Sequence, residues 1–162
     1  MVRIRETDYH HGAFTAALVN SGFQIELFET IETRRSYQVQ RGEEDYLIYS
    51  KFSSAPSSQR NGRRAVTWSF SFSKEEINKI KQYQESGKHC LIALTAHYGG
   101  SDGGELAILT INEFLRSIGA KWHRGGARVA VLKEHRKQVK VYGTGIDRVS
   151  AFVPKTNLLI SN

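Results

Sequence analysis

The sequence predicts an α+β fold, a mixed and mostly antiparallel sheet with two or three helices packed on it. Three observations carry this. Val66, Trp68, Phe70 and Phe72 alternate with Thr67, Ser69 and Ser71, the two-residue period of a strand with one face in a core. Two capping boxes, Ser73 with Glu76 and Thr110 with Glu113, each open a helix directly after a strand-like run. Most other connections between apolar runs are of hairpin length, which favours antiparallel neighbours.

The elements follow in order. His11 to Asn20 reads as a short helix, with Phe14, Ala17 and Leu18 on one face and Gly22 as a stop. Phe23, Ile25 and Leu27 alternate with Gln24 and Glu26 as a strand; 36–41 is a short polar edge strand. An acidic turn at 42–45 leads into a strand over 46–52. Residues 53–64 hold one of the two prolines and no apolar period, so they read as a long basic loop. After the 66–72 strand, the first capped helix runs to Gly87, a natural residue past a helix end. The continuous apolar run 89–96 is the candidate buried strand. A glycine-rich turn at 99–104 precedes a strand at 105–109. The second capped helix buries Phe114, Leu115 and Ile118 and stops at Gly119. Strands at 128–132 and 138–142 are joined by a cationic turn, and the tail forms a short helical turn before Pro154. No internal repeat or linker divides the 162 residues, which therefore form one domain.

Composition narrows the function classes. No apolar run is long enough for a membrane span, and the first residues carry acids where a secretory signal needs an apolar stretch. The single cysteine, Cys90, excludes an intramolecular disulfide and a multi-cysteine zinc site. A cytoplasmic protein is expected. The net charge of +7 is concentrated: residues 51–64 carry +4 and residues 116–155 carry +8, against −5 in the rest. Such segments act either as a solvated surface or as a polyanion surface that releases counterions from phosphate. Arg60, Arg63 and Arg64 in the long loop are candidate phosphate contacts. So are Arg124, Arg128, Lys133, Arg136, Lys137 and Lys140 around the C-terminal hairpin, and Trp122 is a candidate base-stacking side chain. The expected function is nucleic-acid binding, alone or as a subunit of a nucleic-acid-processing system. An acidic protein partner would suit the same cations. Exposed edge strands are compatible with a dimer.

Other constellations are weaker. Gly99 to Gly104 lies between two strands, unlike a P-loop, and reads as a hairpin loop. Gly143-Thr144-Gly145 reads as a plain turn. Glu6, Asp8, His10 and His11 offer ligand atoms, but adjacent histidines diverge on any regular element, so no metal site is assigned and no cofactor is expected. His89, His97, His123 and His135 read as surface or satisfied side chains. The enzyme alternative is a Mg²⁺-dependent nuclease. The element order is similar to that of a restriction-endonuclease-like core, in which strand carboxylates and a lysine gather around the metal. Asp45, Lys51 and one of Glu26 or Glu29 would serve. The residue two before Lys51 is Tyr49, a departure from the acid or amide that such a core carries there.

Overall fold

The computed structural model describes residues 2–31, 34–60, 64–100, 102–124 and 126–156. Helix α1 (Glu6–Asn20) leads into a meander of β1 (Gln24–Ile31), β2 (Arg34–Arg41) and β3 (Glu44–Ser53). Then come β4 (Ser58–Arg60), β5 (Ala65–Phe72), α2 (Lys74–Glu85), β6 (His89–His97), β7 (Gly104–Thr110), α3 (Ile111–Ile118), β8 (Ala127–Glu134) and β9 (Lys140–Gly143). The α+β class holds. The strands nevertheless form two sheets, ordered β1-β2-β3-β6-β7 and β4-β5-β8-β9. The reason lies in the side-chain patterns. β6 carries apolar or small residues on both faces from Leu91 to Ala96 and takes the interior place, parallel to β3. β5 is apolar on one face only, so it suits an outer layer, where it pairs antiparallel with β8.

The 53–64 segment is shorter as a loop than expected, because Ser58 to Arg60 pair with Thr67 to Ala65 as β4. Helix α1 starts five residues ahead of its apolar period: the Arg5 amide donates to Asp8 Oδ2 at 2.9 Å, closing the first turn. A bulge between Leu27 and Glu29 sets both Glu26 (opposite Gln38) and Glu29 (opposite Ser36) on one face of the sheet.

Two cores result. Phe14 and Leu18 of α1 bury against Tyr37, Val39, Ile48, Leu91 and Ile108 on one face of the first sheet. The other face shares a larger core with the second sheet, α2 and α3, built on Trp68, Phe70, Phe72, Ile77, Ile80, Phe114 and Val131. Trp68, Phe70 and Phe72 are 0 to 2% exposed, as their alternation predicted. Both capping boxes form, with Ser73 and Thr110 accepting from the Glu76 and Glu113 amides. The Cys90 thiol donates to the Tyr83 carbonyl, and burial pushes its pKa up. No helix among the described residues is long and apolar enough to cross a membrane.

Gly143-Thr144-Gly145 has a structural use that explains its composition. Its three amides donate to the Ile146, Arg128 and Ser117 carbonyls, so they are spent within the fold. A Cβ on Gly143 would lie 2.4 Å from the Arg128 oxygen and 2.5 Å from that of Ser117. One on Gly145 would lie 2.4 Å from Gly119. The turn is thus pressed against the end of α3, where only glycine fits. Gly145→Ala is expected to cost about 2 kcal/mol, read as a lower urea midpoint at unchanged m-value.

Candidate functional site

The two basic segments meet. β5 and β8 pair from Ala65 opposite Glu134 to Phe72 opposite Ala127, and the His135 amide donates to the Arg64 carbonyl at 2.8 Å. The end of β4, the exposed Arg64 and the β8–β9 turn therefore occupy one end of the second sheet. Among the described residues, Arg64, Lys133, Arg136, Lys137, Lys140 and Arg148 belong to this end, and Lys137, Lys140 and Arg148 act on the Glu134 carboxylate. Lys137 sits 3.1 Å and Lys140 3.8 Å from that carboxylate. The hydrogen bond from Lys137, with the charges of Lys137, Lys140 and Arg148, holds it below the usual carboxylate range. Lys133 donates to the Lys137 carbonyl and folds the turn. Arg136 adopts a φ of 59°, the left-handed region, which lifts an exposed cation at the tip. The Arg60 backbone ends β4 opposite Ala65; Arg63 lies outside the described residues. Arg148, on the 3-10 turn Arg148–Ser150, joins this cluster without a local sequence signal, because the connection after β9 folds it back.

Arg124 and Arg128 lie at the other end. Arg128 faces Ser71, six residues along β8 from Glu134, or about 20 Å. Both are exposed. Trp122 sits with them on a 3-10 turn, half-buried against the larger core, with the Lys81 ammonium 5.1 Å over its ring. The ring that was to stack on a base is thus partly taken up by packing and a cation–π contact. The hairpin cations form two separate groups, and only the turn end is joined by the other basic segment.

The residues considered for metal-dependent hydrolysis divide in the same way. Asp45 is exposed near the start of β3 and lies six residues, about 20 Å, from Lys51. The two are not brought together, because both lie on one strand. Glu29 pairs with Lys79 of α2; Glu26 is exposed farther along β1. Lys51 instead meets a residue assigned only a capping role. Glu76, 5% exposed, accepts from Tyr49 at 2.6 Å, Arg34 at 2.9 Å, Lys51 at 3.0 Å and the Ser73 amide at 2.8 Å. Burial alone would push this carboxyl up. The hydrogen bonds from Tyr49, Ser73 and Arg34 and the Lys51 charge overcome it and lower the pKa to about 2. Lys51 is held below its usual value, since burial costs the ammonium more than Glu76 returns. The Glu76 carboxylate beside Lys51 is already neutralised by Arg34 and Lys51, and Glu29 is paired with Lys79, so this cluster is built as a buried ion network. Among the described residues no three His, Cys, Asp or Glu side chains are placed to hold a metal ion.

Comparisons of the chain with protein-family models, with curated proteins and with solved structures find no match.

Proposed function

We propose that the protein binds nucleic acid through the basic end of its second sheet. The observation that supports this is the junction of two basic segments, distant in sequence, where Arg64 ahead of β5 meets the β8–β9 turn. Solubility alone asks for scattered charge, whereas a polyanion surface asks for cations held side by side on a firm support. The β5–β8 ladder provides that support, and the exposed Arg64 and Arg136, neither salt-bridged to an acid among the described residues, provide cations that can meet phosphate.

Fluorescence anisotropy with labelled duplex and single-stranded probes, titrated across salt, tests the reading. Binding is expected at low salt, with log K falling linearly against log salt. The pair Arg64→Ala and Arg136→Gly should reduce that slope by about two on a duplex, at roughly one per phosphate contact. Arg136→Gly also relaxes a left-handed backbone, so loss of binding there will not reflect unfolding. Arg124→Ala with Arg128→Ala should leave the slope unchanged. Absence of binding at low salt refutes the reading. Equal or tighter binding of an acidic polypeptide would assign the surface to a protein partner instead.

A further inference from the structure

The described residues also enclose a cleft that the basic end does not use. It lies between α1 and the ends of β3 and β6, has a volume of about 500 Å³, and is lined by Tyr9, His10, Ala13, Ser54, His97 and Gly103 among others. A pocket of about 220 Å³ continues from it past Ala13, His97 and Gly103 to an apolar floor of Phe14, Ala17 and Leu106. Three polar atoms along this path are buried without a hydrogen-bond partner in the protein: His10 Nε2, His97 Nε2 and Thr95 Oγ1. Thr95 is only 8% exposed and lines the inner pocket. The Glu6 carboxylate approaches His10 Nε2 no closer than 3.6 Å, beyond hydrogen-bond range. Buried groups of this kind are costly unless something completes them.

The walls define what that would be. The His10 ring stacks on Phe52 at 4.5 Å and 25°, and lies 4.1 Å from the His97 ring, so the upper wall is aromatic. Tyr9, 71% exposed, stands at the mouth as a further flat apolar surface. The acids here, Glu6 in the outer cleft and Glu105 at the inner pocket, keep an anion out of the cleft interior, so a charged group of the ligand must lie outside in solvent. Burial and the neighbouring His10 hold the His97 pKa below its ordinary value, which favours the neutral ring, and its unpartnered Nε2 can then serve as a donor or an acceptor. A neutral, flat molecule with hydrogen-bonding edges meets each of these conditions.

We propose that this cleft binds a nucleobase, its edge on Thr95 and His97, its sugar leading out past the mouth and any phosphate in the solvent beyond. The base could be supplied by a free nucleotide or by an unpaired position in a strand held at the basic end. The second source rests on the function proposed above. The second sheet links the two regions: the Trp68 indole donates to the His97 carbonyl at 2.7 Å, and Trp68 is four residues, about 13 Å of extended chain, from Arg64, which immediately precedes β5.

Calorimetry with the four ribonucleoside 5′-monophosphates tests the cleft directly, on the unaltered protein and on two variants that should fold. Ala13→Leu, on the exposed side of α1, fills the mouth without breaking the helix. Thr95→Val removes the unpartnered hydroxyl at equal size. Saturable binding of at least one nucleotide is expected, abolished by Ala13→Leu and weakened about tenfold by Thr95→Val, whose urea midpoint should hold or rise. A short single strand, compared with the same strand bearing abasic positions, identifies the source. If the strand supplies the base, the abasic form binds more weakly, and Ala13→Leu erases the difference. Nucleotide binding without strand binding keeps the cleft assignment and removes the strand-binding function. Salt-dependent strand binding that ignores abasic positions, with no nucleotide bound, overturns the cleft assignment alone. Nucleotide binding unchanged in both variants also overturns it.

Discussion

Glu76→Ala is expected to destabilise the protein by about 3–5 kcal/mol, the largest effect of any single polar substitution. The carboxylate is the common acceptor for Tyr49, Arg34, Lys51 and the Ser73 amide. Removing it leaves two half-buried cations without their counter-charge and strips α2 of half its capping box. Glu76→Gln separates these contributions: it keeps an acceptor near Ser73 and Tyr49 but cannot balance Arg34 and Lys51. Urea unfolding at pH 7 should rank the unaltered protein above Glu76→Gln and Glu76→Ala lowest. The pH dependence has a definite sign. The folded pKa, about 2, lies below the ordinary 4.5 of an unfolded glutamate. Glu76 therefore contributes its full stability above about pH 4.5 and loses it as pH falls toward 2. Glu76→Gln should flatten that acid limb, and an unchanged limb would show that the network contributes little.

Glu76 also shows where legibility stops. Its capping role is written locally, as a glutamate three residues after Ser73, and the structure bears it out. Its partners Tyr49, Lys51 and Arg34 come from strands more than twenty residues away, and no local pattern marks them. The same distinction runs through the molecule. The Val66–Phe72 stripe, the apolar run of β6 and both capping boxes obey periods of two or three to four residues, so they can be read directly. Whether β5 joins β3 or β8 depends on long-range pairing, and that pairing decides which cations become neighbours. Arg64 and Arg136 are adjacent only because Ala65 sits opposite Glu134. His10 and His97 fall together only because α1 crosses the end of β6. Sequence sets His10 only among possible metal ligands and His97 among surface or satisfied histidines; their shared cleft and unpartnered nitrogens exist only in three dimensions.

Trp68→Ala should cost about 3–5 kcal/mol, since the side chain is wholly buried in the core shared by both sheets. The instructive variant is Trp68→Phe. The indole N–H donates to the His97 carbonyl at 2.7 Å, and the ring meets Tyr98 edge-on at 5.0 Å. This side chain therefore ties β5 of the second sheet to the end of β6 in the first. Phenylalanine preserves most of the apolar volume but leaves the His97 carbonyl without its donor, a loss of about 1–3 kcal/mol. If packing alone mattered, Trp68→Phe would lie near the unaltered protein in urea midpoint, and the tie between the sheets would be apolar. If the hydrogen bond positions the strand end, the phenylalanine variant will also shift the His97 imidazole resonances and speed amide exchange at Tyr98. Nucleotide binding should then weaken in the same variant even where it remains fully folded. Trp68 thus connects the two functional proposals physically: the strand that carries Arg64 to the basic end also fixes the wall of the cleft.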